Sequence, residues 1–299
     1  MKILDLSIVI VNFNAKEYLD KCLESVAKNV KDLFYEIIVV DNASTDGSAD
    51  LVKGNYPGIR LIENKGNVGF IKANNQGIRA SSGKLVMSLN NDTLVLNGAI
   101  NILVDFLLKD TFLGAVGPKL LNIDGTVQPQ CHRGFPTPLN SLFYFFGLSR
   151  LFPKSRIFGG YLMTYLDDKS TVEVDSLCGA AMVVRRDVID IVGPMDESYF
   201  MYGDDIDWCF RIKNAGWKIY YLPEAEIIHY GGRGGSRKQS YRNIFEFYRA
   251  MAIFHKKHYS RKNVFLLNWI VYAGIWIKCA IALAQNLLRK EKYVGTKKP

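Results

Sequence analysis

Apolar positions along this chain follow two rhythms. Through its first third, Ser7–Val11, Ile37–Val40, Ile59–Ile62 and Leu85–Leu89 are short, rich in β-branched residues and closed at both ends by turn formers. Runs of that length without alternation predict strands buried on both faces, as in a parallel sheet. Between them the spacing becomes helical. Lys16–Lys28 places Tyr18, Leu19, Cys22, Leu23 and Val26 on one face, and Phe70–Ala80 and Asn97–Lys109 supply further crossovers. Strand and helix in alternation predict an α/β fold, a mostly parallel central sheet with flanking helices.

From Gly114 to Tyr230 the periodicity loosens, with Pro129, Pro136, Pro138 and Pro153 around the aromatic stretch LFYFFGL at Leu142–Leu148. This region is expected to be irregular. The stretch is either a substrate-facing insertion or a satellite core cluster under a loop. Beyond Tyr230 come the loop GGRGGSRK, a helix over Tyr241–His258 and the apolar segment Val264–Leu288, interrupted by Asn268, Lys278, Gln285 and Asn286. At about 100° per residue those four polar positions gather into one stripe. Such a stripe predicts a helix lying in a membrane interface. A spanning helix needs ~20 apolar residues and must tolerate Lys278, while an ordinary core helix is the plain alternative. The chain thus divides into an α/β unit, 1–236, and a basic helical region, 237–299, expected to associate with a membrane.

Composition narrows the function classes. A chain of 299 residues with 48% apolar content builds a sizeable core, which excludes disorder or a disulfide-stapled scaffold. The five cysteines include no Cys-x-x-Cys pair, which argues against structural zinc and for a reduced compartment. Met1 and Lys2 lead almost directly into Leu6–Val11, too short for a signal-peptide core, so a cytoplasmic protein is expected. A net charge of +9 raises nucleic acid as a partner, but its distribution changes that picture. Residues 1–230 hold 23 Lys and Arg against 27 Asp and Glu; residues 231–299 hold 15 against 2. The excess sits in the tail, where each Lys or Arg near an anionic leaflet is worth ~1 kcal/mol. Phe245, Phe247, Tyr248 and Phe254 do interleave with Arg242, Arg249, Lys256 and Lys257 as on a base-stacking platform. A helix with an apolar face and a solvated basic face explains them equally, and the expectation is the cytoplasmic membrane face without nucleic acid.

Candidate chemistry lies in acidic residues at strand ends, where open α/β sheets bind ligands. In VVDNASTDGS, Asp41 follows a strand and can accept hydrogen bonds from a base or ribose, while Asn42, Ser44, Asp46 and Gly47 form a turn into the next helix. In SLNNDTLV, Asp92 and Asn90 can face a divalent cation bridging diphosphate oxygens, although Asn-Asp is also a common turn pair. In MDESYFMYGDDIDWCFR, Asp204, Asp205 and Asp207 enter a helix among Tyr199, Phe200, Tyr202 and Trp208. The helix dipole accounts for one or two acids there; a pair among aromatics also fits a general base beside a sugar-stacking wall. His229, in AEIIHYGG, precedes Gly231 and Gly232, whose backbone can approach a phosphate, and is a further candidate partner of the same metal.

Taken together, SIVIVNFN, VVDNASTDGS, NKGNVGFIKANNQGI, LNNDT and YGDDIDWCFR with HYGG resemble the family 2 inverting glycosyltransferases of GT-A fold, especially their rhamnosyltransferase-like branch. The resemblance runs from Leu6 to Ser236. It implies that Asp41 holds the base and ribose of a nucleotide-sugar donor, with Asn12 and Asn14 in the same pocket. Asn74 stands where many relatives carry an arginine. Asn90, Asn91 and Asp92 resemble the family's Asp-x-Asp motif with its first acid replaced, leaving Asp92 as a direct ligand of Mg²⁺ or Mn²⁺ and His229 as the later metal or diphosphate ligand. Asp205 matches the catalytic base, and Asp204, Trp208, Cys178 and Gly179 the acceptor side. The Arg233–Lys238 loop is expected to close over the phosphates.

The reaction so implied is inverting transfer of a sugar, rhamnose from dTDP-rhamnose above all, to a lipid-linked or cell-surface glycan acceptor. UDP-galactofuranose and UDP-N-acetylglucosamine remain open as donors. A sugar nucleotidyltransferase is the alternative from another class, but it needs a Gly-rich, basic phosphate loop after the first strand, where this chain has NFNAKEY. A homo-oligomer is also left open.

Overall fold

The computed structural model describes residues 4–232 and 241–288. Its strands are β1 (Leu6–Asn12), β2 (Tyr35–Asp41), β3 (Arg60–Glu63), β4 (Leu85–Leu89), β5 (Thr93–Val95), β6 (Leu113–Leu121), β7 (His132–Arg133), β8 (Val172–Glu173), β9 (Ser176–Leu177), β10 (Ala181–Arg185) and β11 (Lys218–His229). Its helices are α1 (Lys16–Asn29), α2 (Ser48–Asn55), α3 (Phe70–Ala80), α4 (Ala99–Leu108), α5 (Pro138–Phe145), α6 (Leu148–Leu151), α7 (Arg186–Val192), α8 (Asp204–Asn214), α9 (Tyr241–His258) and α10 (Phe265–Leu288).

The central sheet runs β3-β2-β1-β4-β10-β6-β11-β5, with β8 added to β11. Strands β1 to β4, β6 and β11 point one way, and β10, β5 and β8 run against them. Every residue of β1 and β4 is buried, as their unbroken apolar runs require. Helix α1 buries Leu19, Cys22, Leu23 and Val26, the stripe that its spacing predicts.

The expectation of irregularity between Gly114 and Tyr230 is corrected. That stretch supplies β6, β10 and β11, three strands of the central sheet, with β10 inserted antiparallel between β4 and β6. β11 then shifts register between Leu222 and Glu226, a bulge that turns its last residues onto β5, so that His229 pairs with Thr93. The irregular part is confined to a segment between β7 and β8 that carries α5 and α6, and α5 buries none of its residues.

Helices α9 and α10 pack on each other. Polar Asn268 and Asn286 of α10 turn inward: Asn268 Oδ1 accepts from His255 Nε2 at 2.8 Å, its Nδ2 donates to Ser260 O at 2.8 Å, and Asn286 is buried. Trp269, Ile270, Ile277, Ile281, Leu287 and Leu288 are exposed, as are Lys278 and Gln285. The four polar positions are thus split between the inner and outer faces instead of forming one outward stripe.

Candidate active site

The first group of candidate residues begins where β1 and β2 finish in register, Asn12 beside Asp41. Asn12 Nδ2 donates to Asp41 Oδ1 at 3.1 Å and to Ser44 Oγ at 3.2 Å, and its Oδ1 accepts from Asn91 Nδ2 at 2.7 Å. One buried amide therefore ties the ends of β1, β2 and β4 together. Asp41 Oδ2 accepts from Ser44 N at 2.9 Å. Each carboxylate oxygen has two lone pairs, so acceptor capacity remains for a base or ribose. Asn14, at φ 50°, accepts from Thr45 N at 2.7 Å and so pins the turn after β2. Asn42 accepts from Val68 N and donates to Asn67, bringing the NKGNVGF loop beside the same turn.

The second group forms at the end of β4. His229 Nε2 lies 3.3 Å from both Asp92 Oδ1 and Asn90 Nδ2, and Tyr230 N donates to Asp92 O at 2.9 Å. Gln128 fixes the imidazole. Its amide nitrogen donates to His229 O and its Oε1 accepts from Nδ1 at 3.0 Å, which fixes the ring with Nε2 facing Asp92 and Asn90. Asn90 Oδ1 is buried with no hydrogen-bond partner among the described residues. A carboxylate, an imidazole nitrogen and an unsatisfied amide oxygen suit a hard divalent cation that completes its shell with phosphate oxygens and water. Among the described residues no group of three or more His, Cys, Asp or Glu is placed to hold a metal ion, so such a cation would take few ligands from the protein.

The third group sits at the start of α8. Tyr202 and Gly203 both adopt positive φ, 68° and 74°, and turn the chain sharply into the helix. Asp205 Oδ1 accepts from Ile206 N at 2.8 Å; its Oδ2 accepts from Gly179 N at 3.0 Å and from Arg133 Nη2 at 2.5 Å. A Cβ at Gly179 would lie 3.2 Å from Asp205 Cβ, so the Cys178–Ala180 turn approaches this closely because glycine has no side chain. Asn90 N donates to Ala180 O at 2.8 Å from the other side of that turn. Burial, and then the neighbouring Asp205 charge, push the buried Asp204 carboxyl up to about 7. Burial pulls the Arg133 guanidinium down, but the charge of Asp205 outweighs it and leaves Arg133 more basic than usual. Burial also lifts the Cys178 thiol to about 11.

Not every expected residue arrives. Trp208 is 1% exposed and spends its indole N–H on Gly193 O at 3.0 Å, so it belongs to the core beneath α8 and not to an acceptor wall. Asn74 is buried in α3, where it donates to Ser88 Oγ at 2.9 Å and not to Asp41 or Asn12. Asp207 is fully buried and turned away from Asp205, holding Arg211, Lys257 and His258. The aromatic residues of α9 are engaged within the fold: Phe247 packs on Tyr202, Phe254 on Phe210 and Phe245 on Trp276. The Arg233–Lys238 loop lies outside the described residues. Sequence reasoning passed over Arg133 and Gln128. Arg133 stands in a stretch without acids, 125–166, and a buried cation there needs a carboxylate from elsewhere.

The fold recurs in solved structures. One is a mannosyltransferase from Pyrobaculum calidifontis in complex with GDP-mannose and Mn²⁺, with TM-score 0.58 and 16% identity over 99% of this chain and 77% of that one. Another is GalNAc-T7 with UDP, GalNAc and Mn²⁺, with TM-score 0.59 and 19% identity over 76% of this chain and 43% of that one. Among curated proteins, the N-acetylglucosaminyl-diphospho-decaprenol L-rhamnosyltransferase of Mycobacterium tuberculosis is 26% identical over 96% of this chain and 95% of its own length. Rhamnosyltransferase WbbL of Escherichia coli is 26% identical over 75% of this chain and 82% of its own. The sequence profile of glycosyl transferase family 2 matches residues 7–189, from the first residues of β1 through β10 and into α7. With strand-end polar groups joined by Asn12 on one side and a carboxylate held against the same sheet on the other, the chain belongs to glycosyl transferase family 2, the enzymes that move a sugar from a nucleotide-sugar to an acceptor.

Proposed function

We propose that the chain transfers rhamnose from dTDP-rhamnose, with inversion, to a lipid-linked glycan acceptor at the cytoplasmic membrane face. The mycobacterial relative, named for rhamnosyl transfer to a decaprenyl-diphosphate-linked sugar, supports both donor and acceptor class. The observation that carries the site assignment is the Cys178–Ala180 turn. Through Gly179 N it holds Asp205 and through Ala180 O it holds Asn90, so two adjacent residues couple the base to the diphosphate end. Asp41, Asn12 and Asn14 bind the nucleoside, Asn90 and Asn91 border the diphosphate, and Asp204, Cys178 and Gly179 border the acceptor.

Asp205 accepts the proton of the acceptor hydroxyl while that oxygen attacks the anomeric carbon from the face opposite the nucleotide. Arg133 and Gly179 orient the carboxylate and leave it acceptor capacity. Asp92 and His229 would hold a divalent cation, Mg²⁺ or Mn²⁺, whose chemistry is to neutralise charge on the departing diphosphate. Residues 1–236 form the catalytic unit and 237–299 the membrane-association region. The outward Trp269, Ile270 and Ile277 of α10, with Asn268 and Asn286 inward, support a helix lying against lipid.

A donor panel scored by released nucleoside diphosphate, with a polyprenyl-diphosphate-linked sugar as acceptor, tests this reading. Release of dTDP from dTDP-rhamnose is expected. Release of UDP from UDP-galactofuranose or UDP-N-acetylglucosamine would replace the donor, and pyrophosphate from a nucleoside triphosphate and a sugar phosphate would replace the reaction class. Asp205→Asn should slow transfer about 10²–10⁴-fold with donor binding intact. Near-normal turnover by that variant would remove Asp205 as base. Metal-stripped enzyme working as well as Mg²⁺- or Mn²⁺-loaded enzyme would remove the metal roles of Asp92 and His229.

A further inference from the structure

We infer that the α5–α6 insertion is a membrane-docking surface in its own right, separate from α10, and that its occupant is the surface of an anionic bilayer. Within 19 residues, 139–157, it exposes Leu139, Leu142, Phe146, Leu151, Phe152 and Ile157, with Phe146 73%, Leu151 70% and Ile157 65% exposed. An apolar patch of that density on a short, water-facing segment marks an interaction site. The side chains are held in place from within. Phe158 packs on Phe143 and Phe152 at 4.9 and 5.2 Å, and Tyr144 on Tyr161 at 5.0 Å.

Charge selects the occupant. Exposed Arg150, Lys154 and Arg156 lie among these apolar residues, and the whole stretch 125–166 holds no Asp or Glu. Large apolar groups mixed with basic ones and free of acids match a layer that is apolar inside and anionic at its surface. Continuity supports the same occupant: Lys278 of α10 stands over the Phe145 ring at 5.2 Å, so the insertion and the outward apolar face of α10 adjoin.

The inner side of the insertion reaches the chemistry. Gly134 N donates to Tyr161 O at 2.8 Å, a Cβ at Gly134 would collide with Gly160 O, and Tyr161 meets Arg133, the partner of Asp205. Docking this surface sets the Asp205 side of the site next to the headgroups. There an acceptor sugar can enter while its lipid stays in the bilayer.

The inference rests on the membrane attachment proposed above, and hydrogen exchange on the full chain separates the two. With vesicles of phosphatidylcholine and phosphatidylglycerol, amides of 138–157 should gain protection together with α10, and with phosphatidylcholine alone that gain should be lost. Protection of α10 with 138–157 unchanged would overturn this inference and keep the attachment. No vesicle binding at all would overturn the attachment itself. Protection of 138–157 that needs no vesicles and grows with protein concentration would assign the surface to a second copy of the chain. The combined variant Phe146→Ser, Leu151→Ser, Ile157→Ser should raise the lipid concentration for half-binding about tenfold or more. Arg150→Ala and Lys154→Ala should each raise it about fivefold. Both sets should keep normal turnover on a short-chain, water-soluble acceptor, and vesicle binding equal to that of the unaltered chain would overturn the proposal.

Discussion

Asp204 and Asp205 are adjacent, yet the fold treats them differently. Asp205 has three donors, while Asp204 is buried beside that charge and held up to about 7, above its ordinary 3.8. Between those values the folded protein keeps a proton that the unfolded chain has released. The stability associated with Asp204 is therefore complete below about pH 4 and is lost as pH rises through 7. Asp204→Asn should raise the melting temperature by about 5 °C at pH 8 and leave it unchanged near pH 4. Thermal unfolding at the two pH values checks this, and equal shifts would remove the buried-charge explanation. At this scale the acids were legible in the sequence because strand ends and a helix start advertise them: Asp41, Asp92 and Asp205 all stand beside such a boundary. Arg133 was not, because its partner lies 72 residues away and only the folded chain brings them together. Trp208 misled for the opposite reason, since it stands beside the acids in the sequence but is buried in the core with its indole N–H on Gly193 O.

Among the elements, α8 is fixed by a clasp that the sequence hinted at only through Asp207 and Arg211 at helical spacing. Asp207 accepts from Arg211 Nε at 2.9 Å, Lys257 Nζ at 2.8 Å and His258 Nε2 at 2.7 Å, joining α9 to the helix that carries Asp205. Burial pushes this carboxyl up, but His258, Lys257 and Arg211 outweigh it and bring it down to about 2. Its contribution to stability is present above the ordinary carboxylate range and is lost as pH falls toward 2. Asp207→Ala takes the shared carboxylate from Arg211 and His258, while Lys257 keeps Asp196, and should cost about 3–5 kcal/mol in denaturant unfolding, with α9 amides exchanging faster. Unchanged exchange in α9 would show that the clasp does not hold the two helices together. Gly77 tests a second contact. A Cβ there would come within 2.3 Å of Val9 Cγ1, so Gly77→Ala should destabilise the α3–β1 packing by about 1–3 kcal/mol in the same assay. Strands β1, β2 and β4 were legible as continuous apolar runs. β6 was not, because its LGAVGPKLL carries Gly114 and Gly117 where Trp217 and Leu177 press against the backbone. Close packing demanded residues that, read locally, break a strand.

For the whole molecule, the division of charge and the exposed apolar surface point the same way. A mildly acidic body carries the site, a basic tail follows it, and α10 has an 18-residue stretch of mean hydropathy 1.7 of which only 11% is buried. Attachment to anionic vesicles should weaken as salt rises from about 0.05 M to 0.5 M, because the charge part is screened, and it should persist in part because the apolar part is not. Sedimentation with vesicles measures both; binding that vanishes completely in salt would leave α10 without a role in attachment.

The placement of β10 has a consequence for synthesis. It is the strand that joins the two halves of the sheet, pairing with β4 on one side and β6 on the other, yet it follows both of them in the chain. A nascent chain that has not yet released residues 181–185 exposes two unpaired strand edges with a gap between them, and such edges recruit strands from other chains. Slow translation or truncation before residue 185 should therefore trap this protein in aggregates, and a chain ending just beyond α7 closes that gap but still bares the edges of β6 and β5 that β11 covers.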